Sequence, residues 1–145
     1  MIYEVKSETE MKRLGKAMAA LLKGGEVLQL VGDVGAGKTT FVKGLAGGLG
    51  VDDDVQSPSF TISRVYDARE GLLLAHYDFY RLLEPGIMSR ELADSIQDPQ
   101  TITVIEWADI VEGVLPNNCI LIKFQSPTET TRLVEISDER MANLQ

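Results

Sequence analysis

The sequence predicts an α/β protein built on a largely parallel central sheet flanked by helices, with an antiparallel hairpin near its C-terminus. Three observations predict it. Val27-Leu28-Gln29-Leu30-Val31 is short, apolar and rich in β-formers, as a strand buried on both faces should be. A glycine-rich break from Gly32 to Gly37 follows, and a helical pattern resumes at Lys38, the succession that marks a parallel α/β unit. Two late strand-like runs, Ile120–Phe124 and Leu133–Ser137, lie too close in sequence for a crossover helix and so read as a hairpin.

The elements follow in order. From Thr9 to Lys23, the residues Met11, Leu14, Met18, Leu21 and Leu22 recur at spacings of three and four, predicting an amphipathic helix. Ser7 suits its N-cap, Glu10 completes a capping box, and Gly24-Gly25 ends it. The helix from Lys38 runs to Leu49 and stops at Gly50. Further strands are predicted at Thr61–Tyr66, Leu72–Asp78 and Thr101–Trp107, with a helix over Gly86–Gln97.

Length and composition bound the possibilities. The 145 residues read as a single domain spanning 1–145, and 44% hydrophobic content fills a core that a disordered chain lacks. No apolar run reaches the roughly 18 residues of a membrane span, and the first residues, Met1 to Lys6, do not read as a signal peptide. One cysteine, Cys119, allows no internal disulfide and suggests no disulfide-linked partner, so a reducing cytoplasm is the expected location. A net charge of −8 and a pI near 4.6 argue against broad adhesion to nucleic acid. Any work on RNA is expected to reach it through another protein.

The glycine-rich break carries the chemistry. Gly32-Asp33-Val34-Gly35-Ala36-Gly37-Lys38-Thr39 fits the phosphate-binding pattern G-x-x-x-x-G-K-[ST] at every fixed position. Several backbone N–H groups must converge on a polyphosphate, and the glycines remove side chains and permit left-handed backbone angles. The helix that follows aims its positive N-terminal end at the phosphates. Lys38 suits the β- and γ-phosphates, and the Thr39 hydroxyl suits a magnesium ion.

Hydrolysis also needs a second anchor for magnesium and a group to orient water. Two acids stand at the carboxyl ends of predicted strands, where open α/β sheets bind ligands: Asp78 after Leu72 to Tyr77, and Glu106 after Ile102 to Ile105. His76 reads as a hydrogen-bonded strand residue, and Tyr66, Tyr77, Phe79 and Tyr80 as sheet packing. Trp107 suits the core or, directly after Glu106, a gate at the site. The turn-forming Ser57-Pro58-Ser59-Phe60-Thr61 reads as a loop or as a switch that senses the γ-phosphate. Cys119 has no nucleophilic constellation around it in sequence.

Four segments together resemble the TsaE (YjeE) family: the phosphate loop through Thr40, Ser57 to Thr61, His76-Tyr77-Asp78-Phe79-Tyr80-Arg81, and Val104-Ile105-Glu106-Trp107. They occur in that family's order and spacing over nearly the whole chain. The resemblance implies a P-loop NTPase-like fold and a small bacterial ATPase that uses ATP and Mg2+. It implies a role in threonylcarbamoyl modification of adenosine 37 in tRNAs reading ANN codons, with TsaD and TsaB as partners and tRNA reached through them. By motif it assigns the phosphates to Gly35 through Thr40 and magnesium to Thr39 and Glu106. Asp78 becomes an essential acid near the γ-phosphate, Trp107 lines the site, and Ser57–Thr61 is switch I. Arg132 falls where the family carries a basic residue close to the base. The chain departs from the family pattern at Ala108-Asp109, where a proline is common, and over Gly86 to Leu92.

Two readings compete with turnover as an ATPase. A small-molecule or nucleotide kinase would need an arginine-bearing lid, and the arginines here are scattered. A nucleotide-gated interaction module without turnover would share the phosphate loop but have no need of Asp78 and Glu106.

Overall fold

A computed structural model of the protein describes residues 1–33, 35–52, 55, 63–79, 86–137 and 140. Among them, seven strands form one sheet: β1 (Ile2–Val5), β2 (Val27–Val31), β3 (Ser63–Asp67), β4 (Leu73–Asp78), β5 (Thr101–Glu106), β6 (Ile120–Gln125) and β7 (Arg132–Ile136). Their spatial order is β1-β7-β6-β2-β5-β4-β3. The four central strands are parallel, with β2 between β5 and β6 and with β4 beside β5. Antiparallel pairs close both sides: β3 on β4, and the expected β6–β7 hairpin carrying β1 beyond it.

Helices α1 (Glu8–Ala19) and α2 (Lys38–Gly48) cover one face, and α3 (Gly86–Gln97) covers the other. Alternation in the strands serves both layers. In β5, Ile102 and Val104 join Met18, Phe41 and Leu45 under α1 and α2, while Ile105 joins Tyr77 and Leu92 on the α3 side. The predicted packing of Tyr66, Tyr77 and Phe79 holds, all three being buried; Tyr80 lies outside the described residues.

Helix α1 starts as its sequence dictates, with Ser7 Oγ accepting from the Glu10 N–H at 3.1 Å. The return half of the box lands one residue early, because Glu10 Oε2 accepts from the Lys6 N–H at 3.2 Å. The helix ends at Ala19, not at Lys23. Leu22 remains buried beyond that end, so the apolar spacing reported burial rather than helix. The carbonyls left at the two helix ends find a cation: Arg69 donates to Gly48 O at 2.7 Å and to Ala19 O and Leu22 O at 3.2 Å.

The two helices approach closely because glycines face each other across their crossing. A Cβ on Gly15 would strike the Phe41 carbonyl, and one on Gly44 would strike the backbone of Lys12. Strand β1 is an element the sequence reading did not predict, and β5 stops at Glu106, one residue short of the predicted end. Trp107 leaves the strand with φ of 56°.

Candidate functional site

The phosphate loop joins the carboxyl end of β2 to α2. Gly35 and Gly37 adopt left-handed angles, φ 86° and 102°, as the loop requires. Gly32 has a different reason to be glycine: a Cβ there would sit 2.9 Å from both Cβ and O of Phe124 on β6. Ala36 is buried, and its N–H donates to the Asp33 carbonyl at 3.0 Å. Gly37 caps α2 without a side-chain hydrogen bond, so the first N–H groups of that helix are not taken by a cap.

Lys38 opens α2 and turns back into the loop. Its ammonium donates to Gly32 O at 2.5 Å, lies 3.8 Å from Glu106 Oε1 and sits 4.2 Å from the centre of the Trp107 ring. Burial pulls its pKa below the ordinary lysine value, while the carboxylates of Glu106, Asp78 and Asp33 oppose that shift. The left-handed backbone of Trp107 accompanies the turn that brings this ring to the lysine. Trp107 thus lies at the site rather than in the sheet.

Parallel pairing of β4 with β5 sets Asp78 opposite Glu106, so the two predicted acids are neighbours and both are buried. The Phe79 N–H donates to the Glu106 carbonyl at 3.1 Å and holds the two strand ends together. Glu106 spends its other oxygen on His76, whose Nε2 lies 2.6 Å from Oε2. That link was legible only in part. Spacing of two along a strand puts His76 on the face of Asp78, but the β4–β5 register is needed to reach Glu106.

Thr39 and Thr40 follow Lys38 in the first turn, both half-buried, and Thr40 lines a cavity of about 270 Å³ beside the loop. Its walls include Gly35 and Gly37, Ser7 and Met11 at the start of α1, and Arg132 with Thr130 from the C-terminal hairpin. Arg132 braces that wall. Its Nη1 donates to the carbonyls of Thr128, Glu129 and Thr131, and Nη2 reaches Gly35 O at 3.4 Å. Sequence gave no sign that the segments near residues 7 and 130 share a cavity, because only the β1–β7 pairing brings them together. Ser57, Pro58, Ser59, Phe60 and Thr61 lie outside the described residues, as does Arg81.

Glu106 brings a buried carboxylate to the mouth of the loop, and Thr39 brings a hydroxyl to the first turn of α2; both are hard oxygen donors of the kind magnesium takes. Among the described residues no cluster of three His, Cys, Asp or Glu is placed to hold a metal. A magnesium ion needs none where one or two protein oxygens and substrate phosphates share it.

A parallel strand, a glycine loop on the helix N-terminus and a buried lysine beside it define a nucleotide-binding P-loop protein. Residues 5–134 match the family described as "Threonylcarbamoyl adenosine biosynthesis protein TsaE". The chain belongs to the TsaE family. It is 44% identical over 115 residues to the tRNA threonylcarbamoyladenosine biosynthesis protein TsaE of Bacillus subtilis, covering 78% of this chain and 70% of that one. The Treponema pallidum protein of the same name is 35% identical over 132 residues, with 91% and 96% covered. The crystal structure of Bacillus subtilis YdiB superposes with a TM-score of 0.78 at 34% identity, over 99% of this chain and 90% of that one. No helix among the described residues is long and apolar enough to cross a membrane.

Proposed function

We propose that this chain is an ATPase that binds ATP with Mg2+ and supports threonylcarbamoyl modification of adenosine 37 in tRNAs reading ANN codons, together with TsaD and TsaB. The observation that carries the reading is the convergence of Lys38, Asp78 and Glu106 at the mouth of the phosphate loop, with all three side chains buried. The names of the relatives tie it to the tRNA pathway.

On this reading the α2 N-terminus and the loop N–H groups cradle the phosphates, and Lys38 exchanges Gly32 O for a phosphate oxygen. Thr39 and Glu106 hold magnesium, which neutralises charge developing on the phosphates when bound. Asp78, beside Glu106, accepts a hydrogen bond from the attacking water and orients it. The cavity bounded by Ser7, Met11, Thr40 and Arg132 takes the nucleoside. The −8 charge suits a subunit that meets tRNA through partners.

Steady-state ATP hydrolysis by the purified protein, alone and with a TsaB–TsaD pair from the same organism, tests this. Slow turnover that rises with the pair is expected. Appreciable turnover indifferent to the pair would indicate an independent enzyme, such as a kinase. Nucleotide binding with no turnover under either condition would leave an interaction module.

A further inference from the structure

We propose that His76 is a positioning residue for Glu106, fixing which carboxylate oxygen faces the nucleotide's metal. The inference rests on the reading of Glu106 as a magnesium ligand. His76 is fully buried in the middle of β4, and its ring points to the same sheet face as Asp78. Its Nε2 lies 2.6 Å from Glu106 Oε2. A carboxylate oxygen only accepts, so the hydrogen of this bond belongs to Nε2.

Glu106 is therefore divided. Oε2 is tied backward to the sheet, and Oε1 is the oxygen directed toward Lys38, 3.8 Å from its ammonium. An untethered carboxylate can rotate about its terminal torsion, which is broad and roughly two-fold. It could then present either oxygen, or both, to Lys38. With Oε2 held, the rotation is blocked and a single oxygen remains for a metal that demands near-ideal octahedral geometry. Among the described residues the other ring nitrogen, Nδ1, has no hydrogen-bond partner. The imidazole is thus anchored through Glu106 and through packing alone. Removal of a hydrogen-bonding partner behind a metal ligand lowers metal affinity by about 10- to 100-fold.

The test is affinity for a fluorescent ATP analogue, with and without Mg2+, in the wild type and in His76→Gln, His76→Asn and His76→Leu, with thermal unfolding followed alongside. The amide nitrogen of glutamine stands as many bonds from Cα as Nε2, whereas that of asparagine matches Nδ1. The expected result is that His76→Gln keeps most of the gain in affinity that Mg2+ confers. His76→Asn and His76→Leu lose about tenfold or more of that gain while their Mg2+-free affinities stay within about threefold of wild type. Equal loss in the glutamine and asparagine variants, or loss that follows melting temperature, would make His76 a packing residue and overturn the proposal. A magnesium gain kept in full by His76→Leu would overturn it while leaving Glu106 as a ligand. A wild type whose nucleotide affinity ignores Mg2+ would remove the reading of Glu106 and this inference together.

Discussion

Lys38 and Glu106 face each other across the mouth of the phosphate loop, 3.8 Å apart and almost entirely out of water. On the proposed reading the pair would relate two states of the site. In the structure described here the ammonium is shared between Gly32 O and Glu106, and on binding it would turn to phosphate. Lys38→Ala is expected to weaken nucleotide binding by about 10- to 100-fold, the worth of charge-assisted hydrogen bonds near 1.5–3 kcal/mol. Glu106→Gln is expected to do the opposite to metal-free binding, holding or slightly raising affinity by freeing Lys38, while weakening binding with Mg2+. Calorimetry with and without Mg2+ reads both. Unchanged affinity in Lys38→Ala would place the phosphates elsewhere.

Asp78 sits opposite Glu106 but beyond the loop itself. Asp78→Ala is expected to lower turnover by about 100-fold or more, the scale of losing a general base or water-orienting group, with nucleotide affinity within about threefold. Parallel loss of binding and turnover would remove Asp78 from the chemistry.

Arg69 joins the ends of both helices on one face of the sheet through three carbonyls. Arg69→Ala is expected to cost about 2–3 kcal/mol, because buried carbonyls lose a charged donor. Urea unfolding should show an earlier midpoint with an unchanged slope. Nucleotide affinity should not follow, since Arg69 lies away from the phosphate loop.

Gly44 and Gly47 belong to the same helix and have opposite expectations. Alanine at Gly44 would push into the Lys12 backbone and is expected to destabilise by about 2 kcal/mol or more. Gly47 is exposed and has nothing within 4 Å of a built Cβ, so Gly47→Ala should stabilise by about 0.5–1 kcal/mol. Thermal melts of the two variants decide it, and similar shifts would mean that the helix crossing is looser than described.

Cys119 is half-buried, and burial pushes its thiol up to about 11. At about pH 8 the folded protein should react with a disulfide reagent about 100-fold more slowly than the unfolded chain, following the smaller thiolate fraction. Rapid labelling of the native protein would contradict that burial.

Much of this was legible in the sequence where local chemistry decides structure. The β2–loop–α2 unit, α3 and the hairpin are visible because apolar period, glycines and short connections act within a few residues. Strand β1 was not, since its four residues include the exposed Ile2 and its partner β7 lies some 130 positions away. Asp78 and Glu106 could be named from strand-end position, but their adjacency is a matter of register. The bond from His76 to Glu106 and the shared wall of Ser7 and Arg132 depend on distant pairings in the same way. Trp107 read as a strand residue because its neighbours are β-formers, yet its left-handed backbone ends the strand.

That left-handed turn also gives the molecule an optical gauge. The chain has a single indole, and it rests against the ammonium proposed to turn to phosphate when the loop fills. Indole emission therefore comes from beside the phosphate loop alone, with no second tryptophan to dilute it. If nucleotide draws Lys38 away from the ring, as proposed, filling of the loop would be read in native protein and without a dye from the side chain that covers the lysine.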